Sequence, residues 1–214
     1  MIRSIRALAR ATMLGAALGA LAGCAALNSL TGASTPLDAY TLTPLSGAGA
    51  GGGSRHLVVE LPTASGAITT DRILVTPSPL QAAYLPGARW VDSAPELIQT
   101  LVVQTLQSSG AFRLVGRTPM GLFPDNTLLT ELRAFQAESG PLEGPPYVVR
   151  IAVTMTLVRD ADGVIVAARN FEGSAGAGSD QPVVIAAAFD AAMDRLMRDA
   201  APWIAATAGG GGGV

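Results

Sequence analysis

YVVRIAVTMTLVR (147–159), DADG (160–163) and VIVAARNFE (164–172) stand consecutively in the chain, and their reading decides the fold class. Val149, Ile151, Val153, Met155 and Leu157 alternate with Arg150, Ala152, Thr154, Thr156 and Val158, the period of a strand with one covered face. Asp160-Ala161-Asp162-Gly163 is a tight turn with Asp-Gly at its end, so the two runs form an antiparallel hairpin. One covered face demands something to cover it, and the flanking sequence supplies two helices.

The first helix is predicted at 94–109. Ser93-Ala94-Pro95-Glu96 has the form of a capping box, in which each side chain covers the other's free amide. Pro95 lies in the first turn, where its missing N–H costs little. Leu97, Leu101, Val102 and Thr105 recur at helical spacing, with Leu106 beside them, and Gly110 follows as a stop signal. The second helix opens at Asp180 as cap with Pro182 in its first turn. Ile185, Phe189, Met193, Leu196, Ala200 and Trp203 form its apolar stripe, while Asp190, Asp194 and Arg198 face away.

Shorter strands are expected at 37–42, 56–61, 72–76 and 112–115, with 80–84 as a short partner before a turn at Pro86-Gly87. NTLLTELRAFQA (126–137) also alternates. Leu128, Thr130, Leu132, Ala134 and Gln136 fall on one side, and Leu129, Glu131, Arg133, Phe135 and Ala137 on the other. A helix is compatible with that run, but flanking strands favour one long strand. Gly173–Ser179 reads as a small-residue loop. The expected architecture is α+β: a mixed, largely antiparallel sheet with both helices on one face.

The N-terminus has a different character. Arg3, Arg6 and Arg10 precede an apolar run of about a dozen residues, which ends in Leu21-Ala22-Gly23-Cys24. Charged, apolar and small-residue zones in that order make a secretory signal peptide. The run is shorter than the roughly 20 residues that span a bilayer. Leu-Ala-Gly-Cys resembles the lipobox of bacterial lipoproteins. The resemblance implies cleavage before Cys24, diacylglycerol on its sulfur, and an acyl group such as palmitate on its amine. Ala25 rather than aspartate after it favours the outer membrane. The organisation is then a signal peptide at 1–23, a lipidated tether at 24–36, a folded domain at 37–207 with a flexible Gly-rich loop at 46–54, and a disordered glycine tail at 208–214.

Composition narrows the function. Removal of the signal takes three of the 14 basic residues, leaving 11 against 16 acidic ones, a net charge of about −5. That balance lacks the electrostatic footprint of a nucleic-acid binder, and 5% aromatic content is thin for base stacking. Cys24 is the only cysteine, so no internal disulfide is expected. His56 is the only histidine and reads as a surface strand residue; with a lipidated thiol, no zinc set can be assembled. Asp160-x-Asp162-Gly163 lacks the spacing and later glutamate of a calcium loop. Glu131 and Glu138 have nothing in the sequence to bring them to one pocket. No catalytic residue, metal or cofactor is expected.

Tyr40-Thr41-Leu42, the strand led by Arg72, and Tyr84-Leu85-Pro86-Gly87-Ala88-Arg89-Trp90 entering a helix form an ordered series. Ser109-Gly110-Ala111-Phe112 and Leu128-Leu129-Thr130-Glu131-Leu132-Arg133-Ala134-Phe135 continue it. In order and spacing the series resembles the ABC-type transport auxiliary lipoprotein family, over roughly residues 38–203. Where the family often has consecutive tyrosines, this chain has Ala83-Tyr84-Leu85. The resemblance implies a non-catalytic adaptor of an MCE-type ABC system for phospholipid transport between membranes. Its partners would be an MCE-domain protein and the permease and ATPase of the same system, with room for a homo-oligomer. With no lysine, the chain has no phosphate-binding Gly-x-x-x-x-Gly-Lys loop of its own. Tyr84, Arg89 and Trp90 are candidate partner contacts, since Trp and Arg are enriched at interface hot spots. The alternative is that Trp90 packs under the helix start and Arg89 pairs with Asp92. Rival functions are a stand-alone outer-membrane assembly or structural lipoprotein and, more remotely, a periplasmic hydrolase using Ser65 or Ser78.

Overall fold

The long hairpin and the strand before it form a three-stranded meander. Asn126–Ser139 (β7), Tyr147–Arg159 (β8) and Val164–Ala177 (β9) pair antiparallel along nearly their whole lengths. The computed structural model describes residues 36–47, 52–117 and 123–209. The signal segment, Cys24 and the tether as far as Thr35 lie outside them, as do the middle of the Gly-rich loop and the tail from 210.

The second edge of β7 is shared by three short parallel partners in succession. Among the described residues, His56–Val59 (β2) takes its start, Thr63–Ala64 (β3) its middle, and Arg72–Ser78 (β4) its end. Leu114–Gly116 (β6) pairs with β2. Gln81–Trp90 (β5) returns antiparallel on β4, and Asp38–Tyr40 (β1) lies parallel to the end of β5. The sheet is thus mixed, with the long ladders antiparallel.

Val149, Ile151, Val153, Met155 and Leu157 are all fully buried on one face of β8, as their alternation predicts. The other face is polar: Thr154 donates to Asn170 at 2.9 Å, and Arg150 stands 3.9 Å from Glu172. The two helices, Ala94–Ser108 (α1) and Pro182–Gly209 (α2), cover the apolar face. Helix α2 lies over β8 and β9, and α1 beside β2 and β6. Each fully buried Leu, Ile or Phe side chain stabilises by about 1.5–3 kcal/mol, so the single cluster that joins both helices to the sheet dominates folding.

Strand β7 departs from its expected faces. Arg133 is an extra residue: Leu132 pairs with Val153, and Ala134 with the adjacent Ala152. This bulge reverses the parity, so Phe135 and Ala137 join Leu128 and Leu132 on the helix side instead of opposing them.

Four expectations at segment ends are also corrected. Gly173–Ala177 belongs to β9 rather than to a loop. On the buried face they are small because α2 lies close, a Cβ on Gly173 falling 2.1 Å from the Ala192 carbonyl oxygen, and on the other face a Cβ on Gly176 would sit 2.6 Å from Pro145 Cγ. Ser93 and Glu96 bond each other's side chains at 2.9 Å instead of the helix amides. The Ala94 N–H already donates to the Thr70 carbonyl, and Pro95 has none to offer. At the second helix the residue before Pro182 is Gln181, whose carbonyl accepts from Val184 and Ile185, so Asp180 is not the cap. Helix α2 continues to Gly209 with Ala208 buried, past the boundary drawn at 207.

Candidate functional site

Of the residues singled out, Cys24 lies outside the described residues. Tyr84, Arg89 and Trp90 all stand on β5, which reaches past the expected 80–84 and through Pro86-Gly87. From Tyr84 to Arg89, β5 takes five steps while β4 takes two, from Leu74 to Arg72. The surplus is a wide bulge at Leu85–Ala88. Gly87 has φ +72°, a left-handed conformation that disfavours any side chain, so the predicted turn becomes a kink within one strand.

The kink separates the three side chains. Trp90 is fully buried and meets Phe135 at 5.4 Å and Phe189 at 5.1 Å, centroid to centroid, while those two rings lie 4.8 Å apart. It joins β5, β7 and α2 at one point, and its N–H donates to the Asp71 carbonyl. The expectation that Trp90 faces a partner is corrected: it packs in the core, though against β7 and α2 rather than under the start of α1.

Arg89, next in line, points the other way. Its guanidinium reaches Asp71 at 3.6 Å, not Asp92, and donates to the Trp90 carbonyl at 3.3 Å. Both members of that pair are about 40% exposed, so it contributes at most about 1 kcal/mol. Tyr84 is 38% exposed. Its hydroxyl donates to the Ala67 carbonyl at 3.3 Å, and the Arg72 guanidinium lies 5.7 Å from its ring centre. Exposed Tyr84 and half-buried Asp71, Arg72 and Arg89 therefore form a polar strip with cationic excess, in which the Arg72 Nε is buried.

Several acidic side chains have structural partners. Asp125 accepts from the His56 amide at 2.7 Å, Asp160 from the Thr127 hydroxyl at 2.9 Å, and Asp162 from Arg159 at 2.9 Å. Glu138 accepts from Gln136 and stays apart from Glu131, which sits near Thr63 and Ser65. Among the described residues, no three His, Cys, Asp or Glu side chains converge as metal ligands, and no helix is long and apolar enough to cross a membrane.

One feature escaped the sequence. A groove of about 470 Å³ opens between β4, β5, the β7–β8 junction and the start of α2. Val75, Leu85, Pro86, Ala137, Tyr147 and Ile185 form its apolar wall. These residues are scattered over more than 100 positions, so no local motif announces them; only the density of proline around them is visible in the sequence.

A two-layer α+β domain with a buried aromatic hub and a polar strip, preceded in the chain by Leu21-Ala22-Gly23-Cys24, is the class of molecule these features define. The family model described as "ABC-type transport auxiliary lipoprotein component" matches residues 40–201, and the chain belongs to that family. An uncharacterized protein of Bradyrhizobium diazoefficiens is 31% identical over 193 residues, covering 86% of this chain. This chain spans about half, 49%, of that relative's length. A crystal structure from Xanthomonas campestris shares the fold at a TM-score of 0.70 and 24% identity, covering 80% of this chain and 95% of that one. A second solved, uncharacterized protein does so at 0.61 and 17%, covering 79% and 99%.

Proposed function

We propose that the chain is a non-catalytic, lipid-anchored periplasmic adaptor of an MCE-type ABC system that moves phospholipid between membranes. Residues 1–23 are removed, Cys24 carries the lipid, residues 24–36 are the tether, and the anchor lies in the outer membrane. The partners are an MCE-domain protein with the permease and ATPase of the same system. The observation that carries this reading is Leu21-Ala22-Gly23-Cys24 standing ahead of a domain that belongs to the transport auxiliary lipoprotein family. More than one acyl chain is needed for stable anchoring, and full lipidation of that cysteine supplies it. Exposed Tyr84 and half-buried Arg89 are the side chains offered to a partner; Trp90 acts from beneath by fixing β5.

Affinity purification from envelope membranes with mass spectrometry tests the partnership. Recovery of an MCE-domain protein, a permease and an ATPase is expected, and recovery of the chain alone overturns it. The Cys24→Ala chain is expected to leave the membrane fraction or to accumulate unprocessed. A native chain whose intact mass shows a free thiol overturns the anchor.

A further inference from the structure

We infer that the end of the domain bearing the groove lies against the bilayer and that the groove takes the acyl chain of a membrane phospholipid. The inference rests on the anchoring part of the proposed function.

The entry point of the chain is the first argument. Asp38 pairs with Ala88 in a parallel ladder, so Leu37 enters the domain alongside Gly87, next to Pro86 on the groove wall. Only twelve residues separate Cys24 from Leu37, and an extended chain covers at most about 3.6 Å per residue. A lipid on Cys24 therefore keeps this end within about 45 Å of the bilayer.

Exposure is the second. Leu80, at the tip of the β4–β5 hairpin, and Leu142, in the loop between β7 and β8, are fully exposed, and Val183 at the start of α2 is 59% exposed. All three stand on segments whose neighbours, Pro77, Ser139 and Pro182, line the groove, so exposed apolar tips belong to the segments that build the apolar slot. Isolated exposed leucines need no explanation, but a cluster at a groove does.

Charge selects the occupant. Among the described residues, Asp180 is the only acidic or basic one in the groove lining, and Glu143 adjoins Leu142. No arginine among the described lining residues is there to hold a phosphate, so an anionic headgroup is disfavoured and an uncharged tail fits. The volume lies within the 300–1,000 Å³ usual for small-molecule sites.

The test uses the processed, full-length protein reconstituted into phosphatidylcholine vesicles that contain phosphatidylcholine with a diazirine at the end of one acyl chain. After illumination, labelled peptides are mapped by mass spectrometry. Peptides bearing Leu85, Tyr147 and Ile185 are expected to label about tenfold more than those of the polar sheet face, the ratio that 1.4 kcal/mol of preference sets. The surface variant Leu80→Asp/Leu142→Asp should lose most of that label with its melting curve unchanged, and adding anionic lipid should not raise it. Unlabelled groove peptides, uniform labelling, or label unaltered in the double variant overturns the inference, as does a rise with anionic lipid. Protection of the groove together with a dimer on size-exclusion chromatography assigns the face to a second copy, and overturns it too. The intact mass of the same sample reports the Cys24 anchor and the pull-down reports the partners, so failure of each is read separately.

Discussion

Strands β8 and β5 each have a neighbour on both sides, yet they treat irregularity differently. Strand β8 alternates without a break for thirteen residues. The misfits fall on its partners, at Arg133 of β7 and Val166 of β9. Strand β5 carries its misfit within itself, three surplus residues around Pro86-Gly87. The regular strand builds the floor under α2. The kinked one sends Trp90 inward while Arg89 and Tyr84 stay outside, and it shapes one wall of the groove. The regular strand supplies an unbroken floor, while the irregular β5 supplies both a core anchor and surface.

The sharpest way to break that contrast is to move a misfit. Deleting Thr154 puts a misfit into regular β8 and turns Met155 and Leu157 to the face opposite Val153, whereas deleting the surplus Arg133 would leave Phe135 and Ala137 on the helix side. For the Thr154 deletion we expect the cooperative melt followed by circular dichroism to disappear, and a sigmoidal melt near the parent temperature would show the regularity of β8 to be incidental. Next in size is Trp90→Ala, which empties the aromatic hub and should cost about 3–5 kcal/mol by urea denaturation; a loss below about 1 kcal/mol would return Trp90 to the surface role. The smallest effect is expected of Gly87→Ala. A Cβ there meets nothing within 4 Å, so only the left-handed backbone resists, at about 1–2 kcal/mol, again read by denaturation.

These contrasts also explain what was legible beforehand. Strand β8, the Asp-Gly hairpin and the stripe of α2 follow from periodicity, because no extra residue interrupts them. Phe135 was placed on the wrong face because one bulged residue reverses every side chain beyond it, and nothing about Arg133 marks it as that residue. Gly173–Ala177 has the composition of a loop, yet its buried small residues answer to a helix lying close by, a tertiary demand invisible to local reading. Trp90 carried a genuine signal with two meanings, since a large aromatic beside an arginine suits both an interface and a core. The groove was hidden for another reason: five separate segments build it.

Strand β9 pairs only with β8 among the described residues, so one long rim of the sheet presents unpaired backbone groups. An exposed rim of this kind invites a foreign strand to zip onto it, a hazard for an exported chain that folds among other unfolded chains. The surplus Val166 interrupts the ladder near one end, while the charges of Arg169 and Glu172 repel a flat apolar intruder. The same irregularity that spoils a simple pattern thus serves as a guard against clumping.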